Sequence, residues 1–487
     1  MPLTVEAERR AVACVLDLVE EGTVTRVAVR RVASQVGVPA RRLERWVRLR
    51  VPAGGGSPGA ASPPGRGRVG VVRTGLAAVA VLGVGADAVV RFPVTTASVA
   101  ALLLLPVWAA QLRRYRGATA LVVLGLLALA AGAWLAVSST THRFDSSDAI
   151  ATTVLVLTAL GSLGVLLWAR AVLPLRAVAL LAGTGMLAAG VLSSPTANPW
   201  KYQLSMPVTT IALALVVGRS PVVGAAVSLF LAVVGFANDS RSYAGFAVLT
   251  AAVMLWQALP ARRAGEHRSG WHRAGMAASI TTGVCAAYTI ATSLLVSGAL
   301  GEAVQQRSQA QVASGGGSLI AGGRPEMMAT RFLAPHHPWG FGLGAIPNQE
   351  DVLLAKEGLA TVGIRPDNGY VDHYMFGGHF KLHSVLSDAW ANMGLVGALF
   401  VLAVGFVAVD SLLTGLAARR ATALGVFWVS SAVWYIGFGP MYSNLPDLVL
   451  AVALVAVPRA QARRGRQAQR VRPQPAARVS AAATSAR

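Results

Sequence analysis

Lysine is almost missing from this chain. It occurs only at 201, 356 and 381, so arginine supplies nearly all of the cations behind a formal net charge of +22. Charge of either sign is scarce: 13% of the 487 residues are Asp, Glu, Lys or Arg, about half the share of a soluble globular protein. That shortage excludes an ordinary water-soluble domain. Cysteine is as rare. Cys14 and Cys285 lie in a polar and an apolar stretch respectively, which excludes a disulfide framework. No long apolar run precedes Val71, so no cleavable leader is expected.

What the chain has instead is apolar surface. Hydrophobic residues make up 54% of it and the mean hydropathy is +0.56. Apolar segments fall near 71–90, 94–112, 118–138, 149–169, 177–193, 206–218, 221–237, 243–259, 276–298, 386–408, 421–438 and 445–458. A membrane-crossing helix needs about 20 apolar residues, so about 12 of them would occupy roughly half the chain. The expected fold is all-α: a polytopic membrane protein of about 12 transmembrane helices. It would carry one long extracytoplasmic loop and a small soluble helical domain at the N-terminus.

The arginines set an expected orientation. With the basic N-terminus inside and one crossing per segment, the inside loops are "QLRRYRG" (111–117), "RAVLPLR" (170–176), "GRS" (218–220), "ARRAGEHRSGWHRAG" (261–275) and "AARRA" (417–421), with the tail "PRAQARRGRQAQR". All are basic, as the positive-inside rule requires. The outside loops "TTHRFDSSD" (140–148) and "SSPTANPWKYQLS" (193–205) are poor in cations. Both termini are therefore expected in the cytoplasm, and the long loop 299–385 outside.

Residues 1–50 differ from the rest. In "VAVRRVASQVGVPARRLERWVRLR", Ala33, Gly37 and Leu43 have the spacing of a helix-turn-helix, and Pro39 suits the first turn of its second helix. Such a motif in the cytoplasm would take DNA as its partner; the alternative is a small basic domain on lipid headgroups or another protein. Residues 51–70, which include "VPAGGGSPGAASPPGRGR", have the composition of a flexible linker. Residues 461–487 read as a basic, disordered tail.

Several outer residues have the character of a site. Arg241, in "NDSRSYAG", stands at an outer helix junction, where an arginine either snorkels or meets an anion. Arg324 precedes Pro325 and Glu326, which read as a helix start. A guanidinium beside helix N-terminal amides suits a phosphate oxygen, although a loop salt bridge is the plainer account. In "HFKLHSVLSDAWANMGLVGALF" (379–400), His383 and Ser384 open an apolar helix. A histidine there, near arginines, is disfavoured as a cation and suits a general base. His336, His337, His373, His379 and His383 share one loop with Asp367 and Asp372. Only His379 and His383 have i, i+4 spacing, and no glutamate follows His379, so no metal is expected.

Taken in order, "NDSRSYAGFAVL", "GGRPEMMATRFLAPHHPWGFGLGA" and "HSVLSDAWANMGLVGALF" resemble three blocks of the O-antigen ligase and O-antigen polymerase superfamily. The resemblance covers roughly 71–460. It implies a membrane glycosyltransferase that works outside, without metal or other cofactor, in cell-surface polysaccharide assembly. The donor would be a polyprenyl-diphosphate-linked glycan and the acceptor a hydroxyl of another glycan or a different molecule. It implies catalytic roles for His383, Arg324 and Arg241, and puts Ser384, His337 and Arg331 at the substrate beside the two arginines. His337, Pro338, Gly340, Gly342 and Gly344 look like the family's turn. Ser384 stands where asparagine is usual, Asn392 where glutamate is common, and the N-terminal segment lies outside the family pattern. A polysaccharide or lipid transporter, or a membrane-tethered DNA-binding regulator, are the rival readings.

Overall fold

A computed structural model describes residues 68–259, 301–365, 367 and 369–459, together with 29, 32–34, 275, 292–293 and 295–298. Most of the helix-turn-helix-like segment, the linker through 67, most of the apolar stretch 276–298 and the tail 461–487 lie outside these residues. Two compact units are present, Met1–Leu76 and Ala77–Arg487; the second holds nearly all of the described residues.

The described chain is mostly helical. Its elements are α1 (Arg68–Ala86), α2 (Thr96–Leu103), α3 (Leu105–Leu112), α4 (Ala118–Ser138), α5 (Ser146–Val172), α6 (Leu175–Leu192), α7 (Ser205–Leu215), α8 (Pro221–Ala237) and α9 (Arg241–Ala258). After these come α10 (Glu302–Ser314), α11 (Leu319–Gly323), α12 (Glu326–His336), α13 (Gln349–Ala360), α14 (Val385–Ala417), α15 (Ala423–Phe438) and α16 (Met441–Val455). Four of them, α4, α5, α6 and α14, are long and apolar enough to cross a membrane; α8, α15, α16 and most of α1 are apolar but shorter. The apolar stretch 94–112 is not one helix: it breaks at Leu104, with Pro106 in the first turn of α3, where a missing N–H does no harm.

The helix ends follow from the residues that flank the apolar runs. Asp145, Ser220, Ser384 and Thr422 each accept a backbone N–H of the first turn through the side chain, satisfying a donor that the helix itself leaves open. The packed interior gathers Trp168, Phe400, Phe427 and Trp428 from α5, α14 and α15. Many other large side chains face outward, among them Leu102, Trp134, Leu192, Phe230 and Phe406. Apolar exposure on this scale is a property of a protein whose solvent is not only water.

The two ends of the bundle differ chemically. At one end, Tyr115 bridges Pro458, Arg116 pairs with Asp410 at 3.3 Å, and Arg419 donates to the Gln257 and Leu259 carbonyls. Arg170 donates to the carbonyl of Ala456 at 3.0 Å. Arginines thus close the carbonyl ends of α9 and α16. The loops 140–148, 193–205 and 238–241 meet different partners: His142 reaches Asp351, Asn198 donates to the Asn238 carbonyl, and Arg241 donates to Ser308. The basic loops and the cation-poor loops keep separate company.

The segment 301–384 is folded rather than a loop. It holds α10 to α13 and a π-helical turn, Tyr370–Met375. It also has its own apolar core of Leu333, Phe341, Leu359, Met375 and Phe380 against Trp390. Two short antiparallel pairs, Arg143 with Ile346 and Phe144 with Ala345, join strand β1 (Arg143–Phe144) to strand β2 (Ala345–Ile346).

That segment is seated on a break in α14. Gly394 leaves helical geometry, with φ 66° and ψ −161°. The interruption frees the Ala391 carbonyl, which accepts the N–H groups of Phe341 at 2.9 Å and Gly342 at 3.0 Å. In the turn, Gly340, Gly342 and Gly344 all have positive φ, a region costly for L-residues. A Cβ on Gly394 would come within 2.6 Å of the Trp339 carbonyl oxygen. Gly394→Ala should therefore lose about 1–3 kcal/mol from this essentially glycine-only conformation alone, and more from the clash. Gly245, with open space around it, should accept alanine and gain slightly in helix propensity. Equal unfolding midpoints for the two purified variants would contradict this account of the break.

Candidate functional site

His383 is the last residue before the cap of α14, and its backbone is unusual: φ is +52°. A non-glycine residue is held there only when its surroundings fix it. They do. Buried Asp388, one turn into α14, accepts the Leu382 N–H at 2.7 Å and the Met441 N–H at 2.8 Å. Ser384 accepts from the Ser387 N–H and donates to the Ile436 carbonyl at 2.9 Å. The residues on both sides of His383 are thus tied to α14, α15 and α16.

The imidazole faces the π-helical turn. Its Nε2 lies 2.9 Å from the Tyr374 hydroxyl, and the two rings are 5.2 Å apart, tilted. Nδ1 is buried and has no hydrogen-bond partner. Burial pushes the His383 pKa down from 6.5, and Arg324 and Lys381 push the same way, against Glu326 and the Lys381 backbone. Burial raises the Tyr374 pKa, with Glu326 adding to it. A neutral ring has two tautomers: with its proton on Nδ1 the phenol donates and Nε2 accepts, and with its proton on Nε2 the ring donates to the phenol oxygen. In either tautomer Nε2 is engaged by the Tyr374 hydroxyl.

Tyr370 stacks on Tyr374 at 5.1 Å and donates a hydrogen bond to Glu326 at the start of α12. Arg324, two residues before Glu326, is close enough for its charge to bear on His383, Tyr370, Tyr374 and Tyr435. Among the described residues its guanidinium has no ion pair or hydrogen bond of its own. An unpaired guanidinium beside a neutral histidine is an anion receptor next to a base.

Arg241 opens α9, as its position in the sequence predicts. Its Nε lies 3.5 Å from Asp239 and its guanidinium donates to Ser308 at 3.3 Å. Asp239 also pairs with Arg307 at 2.6 Å. Burial alone would raise the Asp239 pKa, but the Arg307 hydrogen bond and charge, with Arg241 and Lys201, take it below the usual range. Three cations surround one carboxylate, leaving the group net positive. Lys201 sits 5.3 Å from the ring of Tyr202, and Tyr202 acts in turn on Tyr374.

Other expected site residues lie differently. Ser384 is buried and its hydroxyl is committed to backbone groups. Arg331 is exposed on α12 and, among the described residues, makes no hydrogen bond or ion pair with the His383 group. His337 turns away toward Asp351, 3.3 Å from its Oδ1, and burial lowers its pKa while Asp351 opposes the shift. Asp372 pairs with Lys356 at 2.7 Å. Sequence reasoning missed Tyr370, Tyr374, Asp388, Lys201 and Tyr202. The one available signal was "YVDHY", whose tyrosines at 370 and 374 share a helical face. No family model, curated protein or solved structure matches this chain.

An asparagine at 388 has one acceptor oxygen where Asp388 has two. Asp388→Asn should leave the Leu382 or the Met441 N–H unpaired, costing about 1–3 kcal/mol of stability. Chemical unfolding of the purified variant reads this directly; an unchanged midpoint and slope would show that the two hydrogen bonds do not hold the mouth of α14.

Proposed function

We propose that this chain is a glycosyltransferase of the O-antigen ligase and polymerase type. It would move a glycan from a polyprenyl-diphosphate carrier to an acceptor hydroxyl outside the cytoplasmic membrane. The observation that carries the reading is the uncommitted Arg324 guanidinium beside the neutral His383 at the mouth of α14. In support stands the three-block resemblance, whose arginines and histidine are Arg241, Arg324 and His383. About 12 spans, with both termini in the cytoplasm and residues 1–50 as a separate DNA-binding or lipid-binding segment, complete the proposal.

The chemistry follows from the groups. The acceptor oxygen bonds to the anomeric carbon as the bond from that carbon to the diphosphate breaks, and the leaving group departs with the electron pair. Arg324 neutralises the charge growing on the diphosphate, with the net-positive group around Arg241 as the outer part of the same field. The acceptor proton goes to His383 Nε2. Tyr374 marks where that proton would arrive, since its hydroxyl now holds the position an acceptor hydroxyl would take. Tyr370 and Glu326 fix the turn that carries Tyr374.

With purified full-length protein and a polyprenyl-diphosphate oligosaccharide, Arg324→Lys should lose about 10²–10³ in rate, because lysine lacks the planar fork. His383→Gln should lose about 10²–10⁴ while the donor still binds. The sign of the pH dependence is set by the lowered pKa: the ring is neutral at pH 7, and activity falls only below pH 6.5, as His383 protonates. Near-normal turnover in both variants, or an acid limb that survives in His383→Gln, would remove the two from the chemistry.

Orientation has its own test. In a background with Cys14 and Cys285 replaced by serine, a cysteine at exposed Ser194 should react with an impermeant thiol reagent in intact cells. One at Ser269, in the basic segment 261–275, should react only after permeabilisation. The reverse pattern would put His383 on the cytoplasmic side and end the proposal.

A further inference from the structure

Away from the His383 group, three side chains converge that the transfer chemistry does not use. His142 follows α4, His337 closes α12, and Asp351 lies in the first turn of α13. His142 Nε2 is 2.9 Å from Asp351 Oδ2, and His337 Nε2 is 3.3 Å from Asp351 Oδ1. All three ligand atoms lie within 4.8 Å of one another. The His142 side chain is 2% exposed and that of Asp351 is fully buried. We propose that His142, His337 and Asp351 form a site for a divalent transition metal of the zinc class, which ties the outer end of α4 to the helical segment 301–384.

The carboxylate gives the first argument. A carboxylate buried this completely is normally paired with a cation or bound to a metal. Asp351 Oδ2 has partners: the Asn348 N–H at 2.8 Å and the His142 ring. Oδ1 has none. It is buried and makes no hydrogen bond, although His337 Nε2 stands 3.3 Å away. Closeness without alignment is what results when a nitrogen and an oxygen are both aimed at a third point. Were the cluster only two N–H groups donating to a carboxylate, Oδ1 should have taken the bond from His337.

Size and donor type agree. Zinc binds imidazole nitrogen and carboxylate oxygen at about 2.0–2.1 Å, which sets tetrahedral ligand atoms about 3.3 Å apart. The observed separations of 2.9 and 3.3 Å run one to each oxygen of the carboxylate, and all three ligand atoms lie within 4.8 Å of one another, so a shared ion would draw them somewhat closer. Two imidazoles with one carboxylate suit zinc and its neighbours, not calcium or magnesium. Three protein ligands leave a fourth position, on the side of His337, the most exposed of the three at 24%.

The surrounding groups orient the ligands as metal sites require. Thr141 Oγ1 lies 2.9 Å from His142 Nδ1, so the far ring nitrogen has a partner and Nε2 points inward. Asn348 and Asp351 form a reciprocal capping box at the start of α13, which fixes the carboxylate. The edge of Phe341 packs against His142 at 5.2 Å, and its ring lies 4.6 Å from that of His337, closing the apolar side. His142 and Asp351 are 209 residues apart in the chain, so a shared ion would cross-link distant segments. This site is independent of the transfer reading, and its test makes no use of activity.

The test uses full-length protein in detergent, stripped with a chelator and titrated with Zn(II) or Co(II). Wild type should retain about one metal per chain after desalting, as a preformed site does. Co(II) should give visible absorption bands of a four-coordinate site, and Zn(II) should raise the unfolding temperature. His142→Gln and Asp351→Asn should lose all three effects, and His336→Gln, at the exposed neighbour of His337, should keep them. If His142→Gln does not fold, His142→Cys decides: it should bind Co(II) with a new thiolate charge-transfer band. Wild type without retained metal would overturn the proposal. So would equal retention in His142→Gln, or a His142→Cys protein that binds Co(II) without the new band.

Discussion

The carboxylate of Asp388 holds the mouth of α14 together with the start of α16. It accepts the N–H of Leu382, just before His383, and the N–H of Met441, the first residue of α16. One buried side chain thus fixes the chain entering α14 and the chain entering α16. His383 sits between the Asp388-bound Leu382 and the backbone-bound Ser384, with φ +52°. Its ring is placed by constraint on both sides and has no freedom to drift from Tyr374. In the proposed transfer a base must keep its geometry, and the backbone on both sides of His383 is held by Asp388 and Ser384.

A second constraint acts one turn deeper. The break at Gly394 gives the turn at 340–344 carbonyls to bind and room to approach. Through Phe341 and its stacking on Phe380 at 4.0 Å, that turn carries the apolar core of the segment 301–384. The segment bearing Arg324, Glu326, Tyr370 and Tyr374 is therefore docked on α14 near the residues that hold His383. The two constraints together explain how groups far apart in sequence come to share one small volume.

The sequence made the helices legible because apolar runs bounded by Ser, Thr, Asp and Pro leave few alternatives. The segments at 118–138, 149–169, 177–193 and 221–237 coincide with α4, α5, α6 and α8 within a few residues. Arg241 and His383 stand at helix starts as their neighbours predict. The break in α14 was not legible, since "NMGLVG" reads equally well as a continuous helix with a small-residue step. The fold inside 301–384 was hidden too, because its short helices have weak periodicity and depend on a core assembled from distant pieces. Ser384 and His337 were placed at the substrate by resemblance; locally, one caps a helix and the other faces Asp351. The partners of His383 and Asp351 come from other turns of the chain, and one-dimensional spacing carries no record of them.

The central claim is that this chain breaks the bond between a glycan and a polyprenyl diphosphate. The most direct measurement supplies purified wild-type protein in lipid nanodiscs with a donor labelled in both the glycan and the lipid, plus a hydroxyl acceptor glycan, and follows the two labels separately. The account predicts that they part: the lipid label appears as free polyprenyl diphosphate and the glycan label on a longer acceptor, in equal amounts. Labels that stay together on intact donor, under conditions where the donor demonstrably binds, would contradict it and leave the arginines as binding groups for a lipid that the protein does not cleave.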